Sequence, residues 1–91
     1  MTFKAAAKSD PRALAVVLSK AIEHTNGDGV EIRAIGPGAV NQAMKAIAIA
    51  RGRLVPSGRD IVCVPVFMRV TIDGVERTGL RIVITAKNGG P

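Results

Sequence analysis

The chain has 91 residues, 47% of them hydrophobic, which fits one domain with a modest core and excludes a second. Aromatics are 2%, two Phe with no Trp or Tyr, so the core must be built from Val, Ile, Leu and Ala. Thirteen Lys and Arg against seven Asp and Glu give a net charge of +6, which suits a polyanion, and one Cys with one His excludes an internal disulfide framework or a cysteine-rich zinc site.

Residues 2–8 alternate weakly, with Phe3, Ala5 and Ala7 opposite Lys4 and Lys8, the period of a half-buried strand. Ser9-Asp10-Pro11 reads as a helix start: Asp10 can accept from orphan backbone N–H groups, and Pro11 has no N–H to lose. Over residues 12–24, Leu14, Val17, Leu18, Ala21 and Ile22 share one helical face. Asn26-Gly27-Asp28-Gly29 stops that helix. A second strand follows over residues 30–35, with Val30, Ile32 and Ala34 opposite Glu31, Arg33 and Ile35.

Gly36-Pro37-Gly38 leads into a second helix over residues 39–53. Val40, Ala43, Met44, Ile47 and Ala48 form its core stripe, and Ala46, Ile49 and Ala50 widen the apolar surface beyond it. A helix apolar over most of its circumference is buried on more than one side, and in so small a chain the second cover is expected to be another subunit. Residues 61–68 are nearly all apolar, a strand covered on both faces, and Pro65 places it at a sheet edge or a bulge. An apolar edge also calls for a partner. The expected oligomer interface is therefore Ala46, Ile49, Ala50, Val64 and Val66. Asp73-Gly74 marks a hairpin turn, and the last strand points Thr78, Leu80, Ile82, Ile84 and Ala86 inward. Residues 88–91 form a flexible tail after a single domain spanning 1–87.

The order β-α-β-α-β-β predicts a two-layer α/β (α+β) sandwich, a four-stranded mixed sheet with both helices on one face. Catalysis finds no anchor. Cys63 lies inside the most apolar strand, where a thiol is an inert small hydrophobe. His24 ends a helix, where it complements the dipole, and the carboxylates are scattered. The reading is not an enzyme, with no metal and no cofactor. Apolar runs of about ten residues are too short to cross a bilayer, and no signal-peptide core leads the chain, so a cytoplasmic protein without membrane contact is expected.

The Ile35-Gly36-Pro37-Gly38-Ala39 stretch joins a strand to a helix, a context in which backbone N–H groups can hold a phosphate, or simply a tight turn. It matches neither a Walker A loop nor the GxGxxG fingerprint. Lys8, Arg12, Arg33 and Lys45 supply charge around it, with Gly36 and Gly38 allowing close backbone approach; these six are the candidate nucleic-acid-binding residues. Without aromatic stacking platforms, contacts would fall mainly on phosphates and be sensitive to salt. The alternative is a regulatory adaptor that binds a protein partner or a small anionic ligand at the Gly36 to Gly38 loop, its charge serving solubility.

From Ile32-Arg33-Ala34-Ile35-Gly36-Pro37-Gly38-Ala39-Val40-Asn41-Gln42-Ala43-Met44 through Arg51-Gly52, Pro56-Ser57-Gly58 and Ile72-Asp73-Gly74-Val75-Glu76-Arg77-Thr78, the sequence resembles the stage V sporulation protein S family. That family is in turn similar to the Alba chromatin proteins, which share the element order and an Ile-(Lys/Arg)-Ala-x-Gly entry to the second helix. The resemblance covers residues 2–86. It implies a small bacterial protein linked to sporulation, a homodimer or homotetramer, that binds DNA or RNA. Three departures from the Alba pattern stand out. Only Lys8 keeps charge before the proline of the first helix, Pro37-Gly38 replaces a basic residue in the glycine loop, and the Asp73-Gly74 turn predicts a short hairpin in place of a long basic arm.

Overall fold

Both helix starts rest on proline, and each is held differently. Asp10 Oδ1 accepts from the Arg12 N–H at 2.9 Å with Pro11 at the first helical position, as the sequence predicts. Pro37 plays the same part in the second helix, which therefore begins two residues earlier than its apolar stripe suggests. The computed structural model describes residues 1–25 and 28–88. Its elements are β1 (Thr2–Ala5), α1 (Pro11–Thr25), β2 (Val30–Ala34), α2 (Pro37–Leu54), a 3-10 turn (Val55–Ser57), β3 (Arg59–Ile72) and β4 (Val75–Asn88). Asn88 pairs with Arg59 and so belongs to β4 rather than to a tail. Residues 89–91 of that expected tail, and Asn26 and Gly27 of the expected helix stop, lie outside the described residues.

The sheet order is β1-β2-β4-β3, with β1 and β2 parallel and the other two pairings antiparallel. The fold is the expected two-layer α+β sandwich, and β3 is the expected edge strand. Val30, Ile32, Ala34, Ile61, Ile82 and Ile84 face the helices and are buried with Leu18, Ile22, Ala43 and Leu54. Alternation turns the intervening residues to the open face of the sheet. No aromatic side chain is fully buried, and Phe3 only packs against the edge of the core.

Two expectations are corrected. Ala46 and Ala50 are fully buried within the chain and cannot be oligomer-interface residues. The helix α2 is apolar on two sides because the sheet covers one and α1 the other, so no second subunit is needed there. Ile49 remains 36% exposed, and Val64 and Val66 are exposed on the open face. The second correction concerns the hairpin. Its turn is the tight one predicted, with φ of 51° at Asp73 and 76° at Gly74, the combination of a type I′ turn. The arm, however, is long. Pairing of β4 with β2 ends at Leu80–Ala34, and residues 68–72 and 75–79 continue beyond it as a two-stranded ribbon, in a molecule 45 Å long and about 20 Å across.

Candidate functional site

Because β1 and β2 are parallel, the chain leaves both at the same end of the sheet, and both helices start there. Gln42 Nε2 donates to the Ser9 carbonyl at 2.8 Å and ties the two entry segments together. The arm springs from this end as well, since it begins where β2 stops. Lys8, Arg12, Gly36 and Gly38 are thus brought together. Lys8 and Arg12 are exposed and form no ion pair among the described residues.

The two helix N-termini differ in what they can offer an anion. Asp10 already occupies that of α1 and adds a negative charge there. At α2 the N-cap is Gly36, with φ of 91° and no side-chain cap, so its first-turn N–H groups are the freer ones. Gly38 has another role from the one the sequence suggested. A Cβ there would lie 2.9 Å from the Ala7 Cβ, so its bareness lets the first turn of α2 pack against the segment after β1. The loop proper is Ile35 and Gly36.

Arg33 and Lys45 do not join one patch. Arg33 alternates with the buried Ile32 and Ala34 and so stands on the open face, whereas Lys45 lies on α2 in the other layer, about 12 Å along the helix from its start. What Arg33 does join is a row the sequence did not reveal. The register pairs Lys4 with Arg33 and Arg33 with Arg81, three cations side by side across β1, β2 and β4. Directly opposed like charges on a sheet face repel. Glu31 relieves part of this, its Oε2 accepting from Arg33 Nε at 2.8 Å and from Arg81 Nε at 3.2 Å. The hydrogen bond from Arg33 is the largest influence on the Glu31 carboxyl; together with the contacts of Arg81 and the charge of Arg33 it outweighs the opposing effect of burial, the second largest, and holds the carboxyl below its ordinary range. One carboxylate against three cations leaves the row positive. Strand alternation puts each of these residues on the open face, but only cross-strand register aligns them.

Elsewhere two arginines are paired with carboxylates, while Lys20, Lys45, Arg53, Arg59 and Lys87 form no ion pair among the described residues. Arg51 makes a two-pronged contact with Asp60, Nε–Oδ1 2.7 Å and Nη2–Oδ2 3.1 Å, and Arg69 reaches Glu76 at 3.5 Å. On the arm, Arg77 forms no ion pair among the described residues.

A family model for stage V sporulation protein S (SpoVS) matches residues 1–87. The chain belongs to the SpoVS family. Its membership makes it a sporulation-related protein. In this SpoVS chain, Cys63 is partly buried against the core on the helix side of β3, and His24 is exposed in the last turn of α1. They stand on separate elements. No group of His, Cys, Asp and Glu among the described residues could hold a metal ion, and no helix among them is long and apolar enough to cross a membrane.

Proposed function

We propose that this SpoVS-family chain is a non-enzymatic nucleic-acid-binding protein of the cytoplasm that regulates sporulation or related development. It grips DNA or RNA through phosphates, from the sheet end where both helices begin. Lys4, Lys8, Arg12 and Arg33, with Arg77 on the arm, make the contacts, and the uncapped start of α2 at Gly36 adds backbone donors. The observation that carries this reading is that Lys8 and Arg12, exposed and without an ion pair among the described residues, lie at the sheet end where the uncapped start of α2 and the base of the arm also meet, with the Lys4–Arg33–Arg81 row beside them. Lys45 stands apart from this set, across the sheet from Arg33.

The binding particle is a homo-oligomer. Val62, Val64 and Val66 on the open face of the sheet, and Met44 and Ile49 on the opposite, helix side, are two exposed surfaces that further copies would cover. Neutralising about five phosphates predicts that log affinity falls with log salt at a slope near −4.5. Fluorescence-anisotropy titrations of duplex DNA, single-stranded DNA and structured RNA at several salt concentrations test this. Absence of binding at low salt, or binding indifferent to salt, would overturn it.

A further inference from the structure

Beside the cation row, the open face carries an aliphatic groove of about 440 Å³. One wall is the segment Ala5, Ala6 and Ala7; the other is the arm, through Val70 and Ile72. Ile35 and Met68 complete the lining, and Lys4 and Arg33 are the charged residues in it. The groove depends on a missing side chain. A Cβ on Gly79 would lie 2.8 Å from Ala34 O and from Ile35 Cγ1, and 2.9 Å from Met68 Cε, so those two side chains can close over β4 only because residue 79 has none.

From this juxtaposition we infer that the groove is a binding site for a single-chain aliphatic anion, a fatty carboxylate whose head lies on Lys4 and Arg33 and whose tail lies against Ile35, Met68, Val70 and Ile72. The lining selects this chemistry. It contains Ala, Val, Ile and Met side chains and two cations, with neither an aromatic plane nor an amide or hydroxyl side chain to recognise a base or a sugar. The Lys4–Arg33–Arg81 row, only partly offset by Glu31, supplies the charge complementarity, because an anion relieves a repulsion already present in the sheet. Arg33 gives its Nε to Glu31, and its remaining donors can receive a carboxylate. The groove shares Lys4 and Arg33 with the phosphate grip proposed above, but its apolar lining takes no part in that grip, and it does not require nucleic acid to bind.

The probe is decanoate, kept below its micellar range, titrated into the full chain by calorimetry and compared with hexanoate, octanoate, acetate and decyltrimethylammonium. Saturable binding of one decanoate per chain is expected, with affinity rising about three- to fourfold per methylene until the groove is filled. Acetate and decyltrimethylammonium, which offer the head without the tail and the tail with the wrong charge, should not bind. Lys4→Glu and Val70→Asp, exchanges on two different elements, should each weaken decanoate at least tenfold; each variant's melting curve is recorded first to show that it folds. No saturable decanoate binding, equal binding of decyltrimethylammonium, or undiminished binding by the folded variants would overturn the assignment.

Discussion

Replacing Glu31 by Gln should lower stability and raise anion affinity together. The carboxylate is 17% exposed and accepts from both Arg33 and Arg81, whose side chains are 45% and 39% exposed. Charge-assisted hydrogen bonds of this kind contribute about 1.5–3 kcal/mol each when dry, and solvent screening at such exposure reduces the two to about 1–2 kcal/mol together. In a domain of this size, 1 kcal/mol corresponds to a fall of about 4–8 °C in Tm. The folded-state carboxyl is held below its ordinary value of 4.5, so its contribution is complete above that pH and disappears as pH falls through the lowered value. Urea denaturation should therefore separate wild type from Glu31→Gln fully at pH 7 and progressively less below about pH 4.5. Losing the carboxylate also raises the net charge from +6 to +7 and leaves Lys4, Arg33 and Arg81 unopposed, so the variant should elute from heparin at higher salt. A stability gap that does not change with pH, or earlier elution from heparin, would refute the view that this row is held under charge repulsion.

Gly38→Ala should destabilise the fold by about 1–2 kcal/mol despite the better helix propensity of Ala, because the new methyl meets the Ala7 Cβ; Ala7→Gly in the same chain should recover much of the loss in urea titrations. Ile49→Glu should break only the association made through α2, reducing the particle to the smaller unit held by the open-face valines while circular dichroism and melting stay cooperative, since Ile49 is partly solvated already; unchanged size by light scattering would count against that surface.

The order of elements was legible because each apolar run keeps one period and ends on an unambiguous signal: Asp10-Pro11, Gly36-Pro37 and Asp73-Gly74 all sit where the chain turns. Residues 2–8 were read too long because Ala6 and Ala7 sustain the alternation after pairing with β2 has ended at Ala5. The arm was missed for the converse reason. Val70, Ile72 and Val75 on the arm do alternate with polar residues, but a strand pattern does not say whether the strands continue beyond the sheet, so the length of the ribbon of residues 68–72 and 75–79 showed only in the pairing. Excess apolarity on α2 correctly announced two covered sides, but periodicity cannot say whether the cover is α1 or another subunit. The cation row was hidden for a similar reason. Strand alternation assigns Lys4, Arg33 and Arg81 to a face, and only the register between strands distant in sequence sets them side by side.

Pro65 bears on how a second copy would approach. In an antiparallel pair, successive residues direct their N–H groups alternately to the partner strand and away from it. Pro65 stands opposite Ile82 in the middle of β3, where its missing donor is tolerated if that position points to the open edge. The edge then has a gap in its donors between Val64 and Val66, and a strand adding there would lose a hydrogen bond at the centre of the contact. Covering the valines on the open face loses nothing of the kind. Association through the face, rather than by extension of the sheet, is what this proline favours. Pro65→Val should restore a continuous apolar edge and convert a defined oligomer into larger, concentration-dependent aggregates with added β-structure, followed by light scattering and infrared spectroscopy. If the variant keeps the size of the parent at every concentration, the proline is not what protects this edge.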